Sequence, residues 1–363
     1  MGDDRTALGE DGRAAAEAPY DALLVVSFGG PEGPDDVLPF LRNVLRGSNV
    51  PASRMDQVAE HYHLFGGVSP INDQNRALIS ALEAALAEAG IAMPVYWGNR
   101  NWHPLLTDTV EAMRQDGVRR ALAFVTSAFG STSGCRQYQD DIAGARAEVG
   151  DAAPVIDKIR PYYDHPDFVA AMADHLRAAR DEARSEATGA DGWGDEAEVV
   201  FTAHSLPMAM SAVSPYVGQL RVAASLVAEA SGEPAPSWQL AYQSRSGSPA
   251  HPWLEPDVSD VLKALPEGAT VVVQPLGFVS DHMEVVYDLD HVAAGVAGER
   301  GQHWVRAGTP GTHPRFISMA LDLIQERLDP SRARRGLSPE GPWPDTCPAG
   351  CCEMAAEART PSP

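Results

Sequence analysis

The sequence has few cysteines, little positive charge and no long apolar run. Its 363 residues include four Cys, and 28 Lys and Arg against 50 Asp and Glu, which gives a formal net charge of −22 at pH 7. Nucleic acids and anionic membranes repel such a chain, so we expect neither as a partner. No run approaches the ~18 apolar residues of a membrane span, and the N-terminus lacks signal-peptide regions. We therefore predict a cytoplasmic protein without stable membrane insertion.

The few cysteines are unevenly placed. Cys347, Cys351 and Cys352 lie together in DTCPAGCCE near the end of the chain, whereas Cys135 lies far upstream in STSGCRQY. Structural disulfides are rare in the cytoplasm and adjacent thiols rarely bridge each other, so metal ligation is the better interpretation. Four thiolates suit a structural zinc ion or a [2Fe–2S] cluster. The alternative is an exposed tail whose cysteines are inert.

The rest of the chain alternates β-rich runs with helix-length segments, which is typical of a parallel α/β sheet. The runs are 21–28, 93–99, 120–129 and 153–163, and, after an acidic spacer at 181–198, 197–206, 237–244, 269–278 and 303–308. They predict two similar open four-stranded sheets, in domains 20–170 and 171–313. The remaining segments are a disordered acidic N-terminus (1–19), a last helix packing back on the first domain (314–330) and a cysteine-bearing tail (331–363).

One histidine stands at the end of a predicted buried strand. In open α/β sheets ligands bind at the carboxyl ends of the strands, and His204 ends the strand VVFTAH. A neutral imidazole there can accept a proton or bind a transition metal. A histidine that is hydrogen-bonded to nearby backbone is the alternative.

A later strand of the second sheet leads into GFVSDHMEVVYDLDH. Here Glu284, Asp288 and His291 are spaced i, i+4 and i+7, so they form one polar stripe on an α-helix. Carboxylates and imidazole suit a divalent ion such as Fe(II). Asp281 and Glu284 also have the spacing of a capping box, which gives Glu284 a structural role instead. Since His204 also follows a strand of this sheet, we expect it to face Glu284 across one cleft.

Two glycine-rich segments complete the pattern. SFGGPEGP, at 27–34, follows the first strand but lacks the G-x-G-x-x-G order of a dinucleotide site. HYHLFGGVSPIN, at 61–72, mixes aromatic, glycine and hydroxyl residues. This mixture suits a large, flat, apolar ligand with polar edges, and a core-packing loop is the alternative.

Together these segments resemble the ferrochelatase family. The matching pieces are LLVVSFGGPEGP, HYHLFGGVSPIN, VTSAFGSTSGCRQY, TAHSLP and PLGFVSDHMEVVYDLD, in the family's order. The resemblance implies two Rossmann-like, chelatase-type domains with a porphyrin cleft between them, and insertion of Fe(II) into the porphyrin. Coproporphyrin III is the favoured substrate and protoporphyrin IX the alternative. A cobalt chelatase, a non-catalytic porphyrin carrier and an iron–sulfur sensor are less favoured.

The resemblance also implies roles for individual residues. His204 matches the family's active-site histidine and Glu284 the glutamate facing it, and both would contact Fe(II). Asp288 and His291 would form an outer relay, in which Val292 replaces a third carboxylate. The implied porphyrin contacts are Ser69, Tyr138, Tyr62, Arg46 and Phe28, with Arg100 as a further candidate.

Two implied features concern ligands and partners. Phe28 stands where some members carry a tyrosine that ligates iron, so an axial ligand must come from His204 or be absent. One internal and three C-terminal cysteines hold a [2Fe–2S] cluster in several members, and Cys135, Cys347, Cys351 and Cys352 fit that division. We expect a monomer that makes transient contacts with neighbouring enzymes of haem synthesis.

Overall fold

The computed structural model describes residues 19–46, 52–187, 197–232, 234–246, 251–347 and 350–352. The described residues form two four-stranded parallel sheets. The first, in the order β2-β1-β3-β4, consists of β1 (Ala22–Ser27), β2 (Val95–Asn99), β3 (Arg120–Val125) and β4 (Val155–Lys158). The second, in the order β6-β5-β7-β8, consists of β5 (Glu198–His204), β6 (Trp238–Gln243), β7 (Thr270–Gln274) and β8 (His303–Arg306). This confirms the predicted α/β fold, although every strand is shorter than its predicted run.

Helices connect the parallel strands. Those of the first half are α1 (Val37–Val44), α2 (Ala52–His63), α3 (Ile71–Glu88), α4 (Leu106–Gln115), α5 (Gln137–Val149) and α6 (Pro166–Ala187). Those of the second are α7 (Met208–Ala212), α8 (Tyr216–Ala230), α9 (Val258–Ala264), α10 (Met283–Val285), α11 (Ala294–Glu299) and α12 (Pro314–Leu328). A 3₁₀ turn (Pro34–Asp36) precedes α1, and π-helical segments (Thr132–Arg136 and Val286–Ala293) precede α5 and α11.

The two sheets share one apolar core. β1 is buried at all six positions, as expected of a strand covered on both faces. Phe124 of β3 and Phe201 of β5 belong to the same buried cluster as Phe168 and Met172 of α6. The predicted domain boundary at 170/171 falls inside α6, which packs against α8, β7, β8 and α12. The last helix, α12, also packs against α3 of the first half. The two halves are therefore joined through this buried cluster. The carboxyl ends of their central strands, β1 and β5, border one cavity.

The helix after β7 does not begin with a capping box of Asp281 and Glu284, the alternative that their spacing had left open. His282 is the N-cap residue, because its Nδ1 accepts the N–H of Glu284 at 3.3 Å. Asp281 instead accepts hydrogen bonds from Arg306 at 3.2 Å and from Thr309 at 3.1 Å. The side chain of Glu284 is thus left out of the cap.

Candidate active site

A cavity of about 360 Å³ lies between the two halves. Its volume is in the range of about 300–1,000 Å³ that is usual for small-molecule sites. The segments that follow β1, β3, β5 and β7 supply much of its wall, as expected for the carboxyl ends of parallel strands. Eight aromatic side chains contribute to that wall: Phe28, Phe40, Tyr62, Phe129, Tyr138, Tyr216, Trp253 and Phe278. This cavity, called the cleft below, offers aromatic surface together with polar and charged groups.

His204 reaches the cleft from the end of β5. Its Nδ1 lies 2.5 Å from the carbonyl oxygen of Ser205, so Nδ1–H donates to that oxygen and Nε2 faces the cleft. The hydroxyl of Tyr216 donates to the His204 carbonyl at 3.2 Å, which fixes the strand end. The Nε2 atom lies 3.5 Å from Oε1 of Glu284. The expectation that these two residues face each other across one cleft agrees with this geometry.

The charges of this pair depend on each other. Burial opposes ionisation of both groups, but the Glu284 carboxylate outweighs it and raises the pKa of His204. In turn the His204 imidazolium outweighs burial and lowers the pKa of Glu284 to about 2. The side chains keep 28% and 41% of their surface exposed, so the ion pair is open to a ligand in the cleft. His282 lines the same cavity, and burial lowers its pKa below the usual value.

Asp288 lies behind Glu284 in the π-helical segment. Its carboxylate accepts a hydrogen bond from the Ser244 hydroxyl. Burial raises the pKa of Asp288 to about 7, helped by the charge of Glu284 and opposed by the Ser244 bond. The group therefore exchanges its proton near neutral pH.

His291 takes a different position from the predicted stripe. Its ring packs edge-on against Phe65, with 6.4 Å between centroids, and lies 5.4 Å from the Tyr287 ring. Neither His291 nor Asp288 is among the described residues that line the cleft. The α-helical spacing behind the stripe does not apply, because a π-helix makes wider turns.

The first half supplies most of the residues expected to contact a porphyrin. Those that line the cleft are Phe28, Tyr62, Ser69, Arg100 and Tyr138. Arg100 pairs with Asp141, and its guanidinium lies 4.6 Å from the centre of the Tyr138 ring. Arg46 is not brought to the described cleft wall. It follows α1, exposed, and donates to the side chain of Asn43 at 2.9 Å.

Sequence reasoning missed several residues of the cleft. Trp253 and Tyr216 line it, and so do His282 and Met210. Trp253 and Met210 come from loops and short helices beyond the strand ends, where no periodic pattern marks the side that faces a ligand. The sequence placed His282 within a matching motif, but its role as an N-cap is visible only in the structure.

A second cavity, of about 320 Å³, is lined by all four cysteines: Cys135, Cys347, Cys351 and Cys352. All four are free thiols. Cys135 is buried in the π-helical segment before α5, and the tail reaches it from the end of α12. A hydrogen bond with Cys135 lowers the pKa of Cys347 to about 5. The cations Lys158 and Arg136 line the same cavity.

Comparison with known proteins assigns the chain to a family. The sequence profile of the family described as Ferrochelatase matches residues 20–328. The chain belongs to the ferrochelatase family. The resemblance carried by the sequence motifs is thereby confirmed, and the cysteine tail lies beyond the matched region.

Curated members of the ferrochelatase family match nearly the whole chain. A coproporphyrin III ferrochelatase of Frankia alni is 53% identical, over 92% of this chain and 86% of the relative. One of Mycolicibacterium smegmatis is 52% identical, over 90% and 94%. A ferrochelatase of Rhodopirellula baltica is 52% identical, over 92% and 93%. Among solved structures, SirB from Bacillus subtilis with Fe3+ matches with a TM-score of 0.50 at 12% identity, over 87% of this chain and 99% of SirB, which shows a shared fold.

Proposed function

We propose that this member of the family inserts Fe(II) into coproporphyrin III and releases coprohaem and two protons. The observation that carries the proposal is the pair of His204 Nε2 and Glu284 Oε1, 3.5 Å apart in an aromatic-walled cleft. The relatives named coproporphyrin III ferrochelatase, at about 50% identity over most of both chains, support the choice of substrate.

The reaction requires two proton transfers. A free porphyrin carries two pyrrole N–H groups, and both protons must leave before the four nitrogens can bind a dication. His204 accepts a pyrrole proton at Nε2 once its own proton has passed to water. The bond from Nδ1 to the Ser205 carbonyl keeps Nε2 directed at the cleft throughout. Glu284 stabilises the imidazolium and offers a carboxylate oxygen to the incoming Fe(II).

Asp288 is proposed as the next group in the relay. Its pKa of about 7 allows it to take a proton and return it to solvent at neutral pH. His291, which lies three residues further along the same segment, remains part of the proposed outer relay. Because both lie outside the described cleft wall, they act on protons or iron that pass Glu284.

The first half is proposed to bind and bend the macrocycle. Contacts with the ring and its edge supply the distortion that turns the nitrogen lone pairs toward the metal. Arg100 is a cation in the cleft wall, and Ser69, Tyr62 and Tyr138 offer hydroxyls to propionates. Phe28 has no ligand atom, so any axial ligand comes from His204. Arg46 would bind a propionate that extends out of the cleft.

We also propose that the four cysteines hold a [2Fe–2S] cluster. The residues fit such a group: four free thiols line one cavity, and two cations line it with them. A cluster with four thiolates is anionic, so Lys158 and Arg136 offset its charge. When bound, it would supply a link between the tail and the first half and a response to iron or oxidant supply.

Among the described residues no helix is long and apolar enough to cross a membrane. The proposed setting is a cytoplasmic monomer in transient contact with neighbouring pathway enzymes.

An anaerobic assay tests the proposed reaction. Fe(II) is added to the purified protein with coproporphyrin III, or in parallel with protoporphyrin IX, and porphyrin absorbance is followed. Faster turnover of coproporphyrin III is expected. Preference for protoporphyrin IX would keep the reaction and change the substrate. Binding of both without turnover would contradict the proposal and favour a porphyrin carrier.

A further inference from the structure

A group of charged residues is buried outside the cleft, beneath the segment that follows α12. Arg160 and Glu326 expose 1% and 2% of their side chains, and two hydrogen bonds of 2.9 and 3.0 Å join them. His165 is fully buried and lies 3.1 Å from Asp322, which is 6% exposed. These four residues are called the ionic cluster. Burying charges is costly unless each is well paired, so such a cluster calls for a structural explanation.

The ionic cluster does not have the chemistry of a cation site. Three of its members have potential ligand atoms within 4.8 Å of one another: His165, Asp322 and Glu326. Guanidinium groups already neutralise both carboxylates, however. Arg160 pairs with Glu326, and Asp322 lies 2.5 Å from Arg332 and 3.3 Å from Arg335. A divalent cation would meet three positive charges at this point, so the group is an ion-pair network.

The backbone of the tail completes the hydrogen bonds of this network. Arg160 donates to the carbonyl of Arg335 at 2.8 Å, and the N–H of Arg335 donates to Glu326 at 3.2 Å. The N–H of Leu337 donates to the carbonyl of the buried Asp164 at 2.9 Å, and the N–H of Ser338 donates to the Asp164 carboxylate at 3.3 Å. Loss of the tail would deprive buried charged groups of these partners, which is unfavourable. The network thus holds main-chain atoms of the tail itself.

Close packing holds the same segment. A Cβ added to Gly336 would lie 2.7 Å from the Asp164 carboxylate and 2.8 Å from the Cα of Pro342. One of these contacts is with backbone, which cannot rotate away. A side chain at this position would therefore force the tail or Asp164 to move out of the docked arrangement.

A second ion pair brings the tail to the cysteines. Asp345 pairs with Arg334 and lies 3.6 Å from Arg327 of α12. Cys347 follows two residues later, at the cavity that Cys135 lines from the π-helical segment. The contacts described above, from Arg335 to Asp345, are hydrogen bonds and ion pairs between protein groups.

We infer that the ionic cluster and Gly336 are positioning residues for the cysteine cavity, which hold the tail docked so that Cys347 meets Cys135 before any metal binds. The docking itself is independent of the cofactor, whereas its purpose rests on the proposed [2Fe–2S] cluster. A preformed cavity would collect iron and sulfide without first ordering the tail.

Amide hydrogen exchange on the metal-free, reduced full-length protein tests the docking. In the unsubstituted protein the amides of 335–338 should exchange slowly, and Cys135 should resist alkylation. In Gly336→Ala both should speed up by about tenfold or more, because several hydrogen bonds to charged groups are lost together. Glu326→Gln, which keeps the shape and removes the charge, should act in the same direction. The control is Gly144→Ala in α5, where an added Cβ meets nothing within 4 Å. Unchanged exchange in β1 confirms that the body of each variant is folded.

The outcomes separate the two proposals. If the unsubstituted metal-free tail exchanges as fast as that of Gly336→Ala, protein contacts do not dock it and the inference is overturned. Anaerobic addition of Fe(III) and sulfide, followed by visible absorbance, then tests whether the docked tail speeds assembly of the cluster. Slower uptake by Gly336→Ala than by Gly144→Ala is expected. A docked tail with no uptake by the unsubstituted protein would overturn the cluster and its positioning while leaving the docking in place.

Discussion

The two halves of the molecule share a sheet order but present different chemistry at their strand ends. In each, the first strand of the half lies between the second and third strands in chain order. Aromatic and hydroxyl residues follow β1 and β3, among them Phe28 and Ser127, whereas His204 ends β5 and Glu284 follows β7. The same backbone scaffold thus serves two tasks. We expect the first half to bind the porphyrin and the second half to move protons and receive iron.

The strongest test of this division is His204→Ala. Removing the proton acceptor should lower kcat by roughly 10²–10⁴-fold, the usual contribution of a positioned acid or base. The KM for porphyrin should change little, because most of the residues expected to contact the porphyrin belong to the first half. Steady-state anaerobic kinetics measure both, with the exposed His63→Ala as a matched control. A full rate in a correctly folded His204→Ala protein would rule out this role.

Glu284→Gln should have the next largest effect. The amide keeps the shape but removes the charge that raises the pKa of His204. His204 should then lose its proton at lower pH, so the rise of rate with pH should move down by about one unit while kcat falls. A pH–rate profile of both proteins measures the shift. A profile that moves upward would contradict the assigned coupling.

Arg100→Ala tests the proposed porphyrin-binding role of the first half. Loss of a cation in the cleft wall should raise the KM for coproporphyrin III by about tenfold, as for one charge-assisted contact, with kcat nearly unchanged. Arg46→Ala is the comparison, since Arg46 lies outside the described wall and should have the smaller effect. A larger effect at Arg46 would show that propionates leave the cleft toward α1.

The smallest expected effect is that of Asp288→Asn. Its carboxyl titrates at about 7, so below this pH it is protonated and above it ionised. The variant should lose the part of the pH dependence that lies near 7, with a fall in kcat of only a few-fold, because solvent can replace an outer relay group. Activity measured from pH 6 to 8 would show it. An unaltered profile would remove Asp288 from the relay.

Much of the fold and part of the site could be predicted from sequence. Buried β-rich runs predicted the eight strands of the described residues, and His204 was located because it ends such a run. The spacing of Asp281 and Glu284 could not tell a capping box from the observed arrangement. In the structure His282 caps the helix, and Asp281 accepts a hydrogen bond from Arg306. Arg46 could not be assigned to the wall or to the surface, since that depends on how α1 packs.

By itself the sequence determined the two parallel sheets, the strand-end histidine and the family, because periodic burial and motif order are local properties of a chain. Only the tertiary structure decided that Nε2 of His204 meets Glu284 at 3.5 Å and that the cysteines line one cavity. It also decided that buried charges hold the tail by its backbone. Each of these joins residues distant in sequence, and such contacts depend on how helices and sheets pack in space.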